Sequence, residues 1–410
     1  MIISRRAVTL GLTATALTAC AGGNAGPQVS RTSAKAVPNP AFDAWVSSFR
    51  ARAAANGISQ DTLNTAFADV GYLPSVIEKD RNQTEFTRTL EDYIAIAASD
   101  ERISKGRAAL RSQNATLTAI EGQYGVDAEI ITAVWGLESK YGERRGDIPV
   151  ISSLSTLAFD GRRGAFFEKQ LMAALRILQR GDTTPDRMTG SWAGAMGHTQ
   201  FIPTSYQAYA VDFTGDGRRD IWSDDPSDSL ASTAAYLQRS GWRKGQPWGL
   251  EVRLPPGFSP SLAGRGKTRS AASWSAQGVT DMAGRPLPDY GSAAILIPQG
   301  SRGPAFAVYR NFNVILRYNN AEKYGIGVGH LADRLSGKPP LQTAFPPDAK
   351  GMTLDDRKEL QRRLSSAGFD AGTADGVIGS KTVSAISAYE ASAGLPVTGE
   401  PSMDLLRRLR

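Results

Sequence analysis

One glutamate in this chain is placed where a carboxyl group could donate a proton. Glu138 lies near the end of a predicted helix and shares a face with Ile130 and Val134, because residues four apart lie on the same side of a helix. The spacing therefore predicts a carboxyl group that points to the interior. Loss of hydration there favours the protonated form near neutral pH, and a protonated carboxyl in a cleft can act as a general acid. The alternative is an exposed glutamate, or one paired with Arg144 or Arg145.

Two further groups of side chains are suited to hydrogen bonding with a sugar. Ser191 and Gln200 lie in a segment rich in small residues, 190–206, where backbone and ligand can approach closely. Their hydroxyl and amide groups match the hydroxyl and acetamido substituents of an uncharged glycan. The second group, which could orient an acetamido group or stack on a sugar face, consists of Tyr318, Asn319 and Tyr324.

An Asp-Gly segment has part of the pattern of a calcium-binding EF-hand loop. Oxygen-bearing residues occupy loop positions one, three, five and nine, namely Asp212, Thr214, Asp216 and Asp220. Gly217 stands at position six, but position twelve is Ser223 instead of the bidentate glutamate, unless Asp224 or Asp225 closes a longer loop. The segment thus predicts either a calcium site or an Asp-Gly turn that is stabilised by its own hydrogen bonds.

The N-terminus has the features of an export signal. Arg5 and Arg6 precede an apolar stretch, 7–19, that is too short to span a bilayer as a mature helix. The sequence Leu-Thr-Ala-Cys that ends at Cys20 resembles the bacterial lipoprotein cleavage box, which implies a signal over 1–19 and an acylated cysteine inserted in a lipid membrane. The alternative is a simple cleaved signal, and the export route, Sec or twin-arginine, stays open. Ala21 is not an acidic retention residue, so we expect a periplasmic lipoprotein of the outer membrane.

Composition excludes several function classes. The formal charge of +7 falls by two arginines to +5 when the signal is removed, which suits anionic envelope polymers or lipid headgroups. Acidic residues are interspersed among the basic ones, so no nucleic-acid partner is predicted. Cys20 is the single cysteine, which excludes an internal disulfide. The two histidines, His198 and His330, lack the neighbours that a zinc site or a Ser/His/Asp triad needs.

The pattern of apolar residues predicts a mainly α (α+β) protein with two folded parts. Helical periodicity dominates from 42 to 179 and returns over 319–335, and short strands among Gly and Pro turns indicate a β-rich insertion at about 248–310. The predicted segments are a flexible tether over 20–40, a first domain over 41–337, a Pro-rich linker over 338–350 and a second domain over 351–410.

The last sixty or so residues predict a three-helix module. Leu360 and Leu364 repeat at helical spacing, and Asp375-Gly376 marks a turn between helices. The ordered Gly and Asp-Gly signals resemble the peptidoglycan-binding domain that is appended to bacterial cell-wall hydrolases. Glu390 stands where that family more often has Gln. A helical module of unrelated purpose is the alternative.

Residues 41–336 resemble the membrane-bound lytic murein transglycosylases of the B type, glycoside hydrolases with a lysozyme-like catalytic core. The resemblance implies that Glu138 is the catalytic acid and base. It also implies that glycan contacts come from Ser191, Gln200, Tyr318, Asn319 and Tyr324. The family usually has Asn-x-Ser where this chain has Asn319, Asn320 and Ala321.

The resemblance also implies a mechanism with one carboxylate, in which Glu138 first protonates the glycosidic oxygen between N-acetylmuramic acid and N-acetylglucosamine. The deprotonated glutamate then takes the C6 hydroxyl proton, and a 1,6-anhydro product forms without water or a required cofactor. Ordinary glycosidases need two carboxylates, and the nearby Glu143 and Asp147 follow the end of the helix. The alternatives are a hydrolytic muramidase and a non-catalytic wall-binding scaffold; protein partners are not predicted. Arg144 and Arg145 are placed to meet an anionic stem peptide, or are solvated surface charge.

Overall fold

The computed structural model describes residues 35–82 and 89–410. The predicted signal, Cys20 and most of the predicted tether therefore lie outside the described residues. Within the described ranges no helix combines the length and the apolar character needed to cross a membrane. Val37 forms a β-bridge with Tyr72, so the last residues of the predicted tether already contact folded structure.

The described chain is mostly helical, as predicted. In chain order the helices are α1 (Pro40–Ala55), α2 (Gln60–Ala66), α3 (Pro74–Arg81), α4 (Leu90–Ala97), α5 (Asp100–Ser112), α6 (Asn114–Tyr124), α7 (Ala128–Ser139), α8 (Val150–Asp160), α9 (Gly164–Arg180), α10 (Pro203–Tyr209), α11 (Ser227–Arg239), α12 (Ala271–Ala276), α13 (Arg310–Tyr318), α14 (Glu322–Leu335), α15 (Leu354–Ser366), α16 (Ser380–Ser392) and α17 (Met403–Leu409). The strands are β1 (Ile148–Pro149), β2 (Thr189–Gly190), β3 (Gly249–Arg253), β4 (Thr268–Arg269), β5 (Thr280–Asp281), β6 (Ala293–Leu296) and β7 (Ala305–Val308).

The described residues form two compact units. The first comprises residues 35–82 and 109–240, and the second comprises residues 89–108 and 241–410. In the first unit, α9 packs against α8 and α10, and it buries the apolar positions Leu171 and Leu175, one helical turn apart. Helix α7 packs against α6 and α11. Antiparallel pairing of β1 with β2 brings Ile148 opposite Gly190, and so joins the chain that follows α7 to the start of the small-residue segment.

The second unit contains the predicted β-rich insertion as a five-stranded antiparallel sheet in the order β4-β6-β7-β3-β5. Its buried core includes Val252, Ile295 and Ala307 from the strands and Trp274 from α12. Trp274 donates its indole N–H to the Ala293 carbonyl at 2.8 Å, which satisfies the one polar atom of this buried ring.

The prediction of one helix over 319–335 is wrong at its start. Helix α13 ends at Tyr318, and Asn319 has an extended backbone with φ of −145° and ψ of 119°. Helix α14 begins at Glu322. The asparagine pair thus forms the connection between two packed helices, and α13 itself was not predicted.

The three-helix module is present in the second unit. Helices α15, α16 and α17 enclose a core that includes Leu360, Leu364, Ile386 and Leu406. Thr353 begins α15 through a capping box with Asp356, which satisfies backbone donors at the helix start. Glu390, the departure from the family pattern, accepts hydrogen bonds from the N–H groups of Thr398 and Gly399 at 2.7 and 2.8 Å.

Candidate active site

Glu138 is buried in the last turn of α7, with 7% of its surface exposed. The structure confirms the predicted inward placement, but the helix is buried on all sides from Ile130 to Ser139 and not along one face. The cause is that α7 packs between other helices of the first unit, among them α6 and α11. A carboxyl group is therefore held in the interior of a helical unit, close to a helix end.

The chain leaves α7 through an unusual turn. Lys140 and Tyr141 both have left-handed backbone angles, with φ of 54° and 61°, and Gly142 follows with φ of 90°. Left-handed angles at residues other than glycine cost conformational energy and persist only where surrounding contacts fix them. The Gly142 N–H donates to Ser139 Oγ at 2.9 Å, and the Arg144 N–H donates to the Ser139 carbonyl at 2.8 Å. Hydrogen bonds to Ser139 thus fix the turn directly after Glu138.

His198 connects this turn to the small-residue segment. Trp135 Nε1 donates to His198 Nδ1 at 3.1 Å, and Ser139 Oγ donates to the His198 carbonyl at 2.5 Å. Burial lowers the pKa of His198 below its usual value, and the nearby Arg145 charge acts in the same direction. The imidazole is therefore neutral at neutral pH.

Ser191 and Gln200 are both placed by the fold of this segment. Ser191 Oγ accepts the N–H groups of Ala193 and Ala195 at 3.3 and 3.1 Å. Gln200 has a left-handed backbone, φ of 55°, and its Nε2 donates to the carbonyls of Arg145 and Gly197, each at 2.9 Å. Both amide hydrogens of Gln200 are used, so a ligand would meet this side chain through its Oε1.

Close approach explains the small residues of the segment. A Cβ added at Gly190 would stand 2.2 Å from the Ala195 carbonyl oxygen, which is shorter than any tolerated contact. Small residues therefore do allow close approach in this segment, and the atoms that approach Gly190 are those of the segment's own backbone.

Arg145 joins the turn to the loop that precedes α11. Its guanidinium pairs with Asp224 at 2.6 Å and donates to the carbonyls of Trp222 and Ser223 at 3.0 and 2.6 Å. Arg144, in contrast, is exposed. Arg145 is thus engaged within the first unit.

Tyr318, Asn319 and Tyr324 belong to the second unit. Tyr318 ends α13, Tyr324 lies in the first turn of α14, and Asn319 lies between these helices; all three are buried. Among the described residues, Asn319 Oδ1 has no hydrogen-bond partner although it is buried. A buried acceptor without a partner is costly, and it is the kind of atom that a ligand donor would satisfy.

The predicted calcium loop is occupied by internal hydrogen bonds. Asp212 accepts the N–H groups of Gly215 and Gly217 at 2.7 and 2.8 Å, and Asp220 accepts that of Trp222 at 2.9 Å. Among the residues that the structure describes, no group of three or more His, Cys, Asp or Glu side chains converges as a metal site. The donor set of Asp212, Thr214, Asp216 and Asp220 therefore fits a hydrogen-bonded Asp-Gly turn better than a calcium cage.

Sequence reasoning missed three residues that organise the site: His198, Tyr141 and Asp228. Tyr141 packs edge-on against Trp135, with ring centroids 5.8 Å apart. Asp228, at the start of α11, is buried and accepts three backbone N–H groups of the Asp-Gly loop. The one available signal was the position of His198, two residues before Gln200 in the small-residue segment.

The comparisons with known proteins agree with this architecture. The family described as "Transglycosylase SLT domain" matches residues 41–333, which is more than half of the chain. The chain belongs to the SLT transglycosylase family. A second family, described as "Putative peptidoglycan binding domain", matches residues 353–409 and so covers α15 to α17.

Relatives of this SLT family member are known in sequence and in structure. Membrane-bound lytic murein transglycosylase B of Escherichia coli (strain K12) is 34% identical over 216 residues, which are 52% of this chain and 58% of the relative. The chain thus spans less than two thirds of that relative's length.

Among solved structures, SltB3 from Pseudomonas aeruginosa in complex with NAG-NAM-pentapeptide is 47% identical, with a TM-score of 0.74, over 91% of this chain and 100% of that chain. SltB1 from the same organism is 33% identical, with a TM-score of 0.63, over 72% of this chain and 98% of that chain. The Escherichia coli lytic transglycosylase Slt35 in complex with calcium is 28% identical, with a TM-score of 0.62, over 73% of this chain and 93% of that chain.

Proposed function

We propose that this SLT family member is a peptidoglycan lytic transglycosylase. The observation that carries the proposal is a buried carboxyl group, Glu138, at the end of α7, bound through its neighbour Ser139 to the segment that holds Ser191 and Gln200. The match of residues 41–333 to a transglycosylase family supports the same activity. One relative, SltB3, was solved with NAG-NAM-pentapeptide and with NAG-anhNAM-pentapeptide, which supports peptidoglycan as the substrate.

In the proposed reaction Glu138 serves first as acid and then as base. Its carboxyl proton goes to the glycosidic oxygen between N-acetylmuramic acid and N-acetylglucosamine, and that C–O bond breaks. The substrate's acetamido oxygen stabilises the cationic sugar. Glu138 then removes the C6 hydroxyl proton, the oxygen attacks the anomeric carbon, and a 1,6-anhydro end forms.

The acids that follow Glu138 in sequence support a mechanism with one carboxylate. An ordinary glycosidase needs a second carboxylate across the bond, as nucleophile or to activate water. The two acids that follow Glu138 most closely are exposed: Glu143 pairs with Lys140 at 3.9 Å, and Asp147 lies at the surface. Neither shares the burial of Glu138. The glycan contacts in this proposal are Ser191, Gln200, Tyr318, Asn319 and Tyr324.

We also propose where the enzyme acts. The lipoprotein-like Cys20 and the membrane-bound relative support a periplasmic enzyme anchored to the outer membrane by an acylated cysteine. The module α15–α17, in a region that matches a peptidoglycan-binding family, would raise the local concentration of glycan strands. The reaction scheme contains no step that requires a metal or an organic cofactor.

The proposal is tested by mass spectrometry of the muropeptides that the full chain, in detergent, releases from purified sacculi in H₂¹⁸O. We expect anhydro-muropeptides without ¹⁸O from the wild type. Glu138→Gln keeps the volume of the side chain but cannot donate the proton, so we expect no release from this variant. Reducing ends that carry ¹⁸O would show a hydrolytic muramidase. Sacculus binding without any release would show a non-catalytic scaffold.

A further inference from the structure

His198 is the residue of the small-residue segment that contacts the end of α7 with both its side chain and its main chain. It is 4% exposed, and its ring packs edge-on against Trp135 with centroids 5.7 Å apart. Nothing in the proposed chemistry uses this imidazole, yet it is one of two histidines in the chain. Its hydrogen bonds define what it can do.

The partners of the two ring nitrogens fix the tautomer of His198. An indole N–H can only donate, so Nδ1, which receives the Trp135 N–H at 3.1 Å, carries no proton. Nε2 then carries the hydrogen and donates it to the Ser223 carbonyl at 2.8 Å. Arg145 Nη1 lies 3.3 Å from Nε2, but both atoms are donors, and the guanidinium donates to the carbonyls of Trp222 and Ser223 instead. The ring is therefore neutral, with a single orientation.

The contacts of His198 lie on both sides of Glu138 in sequence. Trp135 is one turn before Glu138, and Ser139, which directly follows it, donates to the His198 carbonyl at 2.5 Å. The same Ser139 hydroxyl accepts the Gly142 N–H. Gly142 passes so close to the imidazole that an added Cβ would stand 2.7 Å from Nδ1. One residue thus contacts the helix turn before Glu138 and the left-handed turn after it.

We propose that His198 is a positioning residue for Glu138: its Nδ1 and its main-chain carbonyl hold the last turn of α7, so that the carboxyl group is presented in one orientation. The proposal rests on the proposed role of Glu138 as acid and base. A misplacement of about 1 Å of a catalytic group can reduce the rate of a reaction about 100-fold. The left-handed turn at Lys140 and Tyr141 needs such external contacts, because its backbone angles are unfavourable on their own.

The proposal has a consequence for pH. A proton on Nδ1 would face the Trp135 N–H, donor against donor, and the hydrogen bond would be lost. The charged groups that face His198 are Arg145, which opposes protonation, and Asp224 and Asp225, which favour it. Burial is the largest influence and lowers the pKa of His198, so the bond is intact at neutral pH and is lost on acidification. The acid side of the pH profile for kcat should therefore contain a contribution from His198.

The test compares two substitutions in the full chain, in detergent, with soluble glycan strands of defined length as substrate. His198→Phe keeps a ring but removes the acceptor, and we expect kcat to fall about 10- to 100-fold with little change in KM. His198→Asn places an amide oxygen near the position of Nδ1 and does not titrate. We expect this variant to recover most of the lost kcat and to lack the His198 contribution on the acid side.

A matched control separates positioning from stability. Trp274→Phe removes a buried indole hydrogen bond in the sheet core, so it should lower the Tm without changing kcat below the unfolding range. A kcat for His198→Phe equal to that of the wild type would overturn the proposal. The proposal would also be overturned if the wild type and His198→Asn gave the same acid side of the pH profile for kcat. This comparison does not need His198→Phe, so it decides even if that variant does not fold. The assay counts every cleaved glycosidic bond, whichever product forms. Hydrolytic products would therefore refute the proposed transglycosylase activity, and the effect of the His198 substitutions on kcat would still be measured.

Discussion

Gly136, two residues before Glu138, is the place where the ring of Tyr141 meets helix α7. A Cβ at this position would stand 2.6 Å from Tyr141 Cζ and 2.7 Å from its hydroxyl oxygen. The ring cannot move aside freely, because it also packs edge-on against Trp135. A missing side chain at Gly136 is therefore part of the geometry that holds the left-handed turn.

Gly136→Ala should accordingly destabilise the protein although alanine is the better helix former. We expect a loss of about 1–3 kcal/mol in the free energy of unfolding from overpacking, together with a lower rate of glycan cleavage. Gly122→Ala in α6 is the matched control, since nothing lies within 4 Å of the added Cβ; it should stabilise the protein by about 0.5–1 kcal/mol. Urea unfolding measures the change in stability for both variants. If Gly136→Ala stabilised the protein as much as Gly122→Ala, the ring of Tyr141 would not restrict the space at Gly136.

The burial of Glu138 was predicted from its four-residue spacing to Ile130 and Val134. The outcome agrees, but for a wider reason, because packing of α7 within the first unit buries every position from Ile130 to Ser139 and not one face. The partners that hold the turn could not be predicted in the same way. Trp135 and His198 are 63 residues apart, and only the folded packing of the first unit brings them together.

At the scale of elements, the Asp-Gly loop is held to α11 by Asp228. One carboxylate oxygen accepts the N–H groups of Phe213 and Thr214 at 2.9 and 3.1 Å, and the other accepts that of Asp220 at 2.9 Å. Burial raises the pKa of Asp228, while these N–H groups oppose that increase. The loop is thus held to α11 by a side chain of this protein.

Asp228→Asn should therefore weaken the loop in a way that calcium does not repair. The amide would place an N–H against a backbone N–H, at a cost of about 1–3 kcal/mol in the free energy of unfolding. Asp216→Asn, an exposed change at a predicted calcium position that keeps its acceptor oxygen, should change stability by less than about 0.5 kcal/mol. Thermal unfolding with calcium or with EDTA should give the same Tm for the wild type. A calcium-dependent rise that Asp216→Asn abolishes would instead establish the calcium site.

Elements whose signal is local were predictable, and those defined by their packing were not. The module α15–α17 follows from the repeat of Leu360 and Leu364 and from the turn at Gly376, where the backbone is left-handed. Helix α13 was missed because only Tyr309 separates it from β7, so its apolar positions continue the pattern of the strands. The start of α14 was misplaced because Asn319 and Asn320 form a connection whose extended backbone carries no periodic signal.

At the scale of the whole molecule, the Pro-rich linker is not a free tether within the second unit. The backbone N–H groups of Gln342 and Thr343 donate to the Glu251 carboxylate of β3, each at 2.8 Å. Further along, Asp348 pairs with Arg357 of the peptidoglycan-binding module at 2.9 Å. Proline content predicted a spacer, but the charged partner of the linker lies in a strand about ninety positions earlier, which composition does not reveal.

Arg357 joins the module to helix α4 by a buried ion pair. Its side chain is 4% exposed and pairs with Glu91, itself 7% exposed, at 2.7 Å.

Arg357→Met should cost about 3–5 kcal/mol in the free energy of unfolding of the second unit, because it leaves the Glu91 carboxylate buried without its cation. The double variant Arg357→Met with Glu91→Leu should recover part of this loss, because it removes the two buried charges. Asp92 and Asp348, which also pair with Arg357 at 3.1 and 2.9 Å, keep their charges but are partly exposed. Arg407→Met is the matched control in the same module: its pair with Asp404 is exposed, so the change should cost less than about 1 kcal/mol. Urea unfolding of the full chain in detergent measures all of these variants. Equal costs for Arg357→Met and Arg407→Met would mean that the module is not held to α4 by this pair.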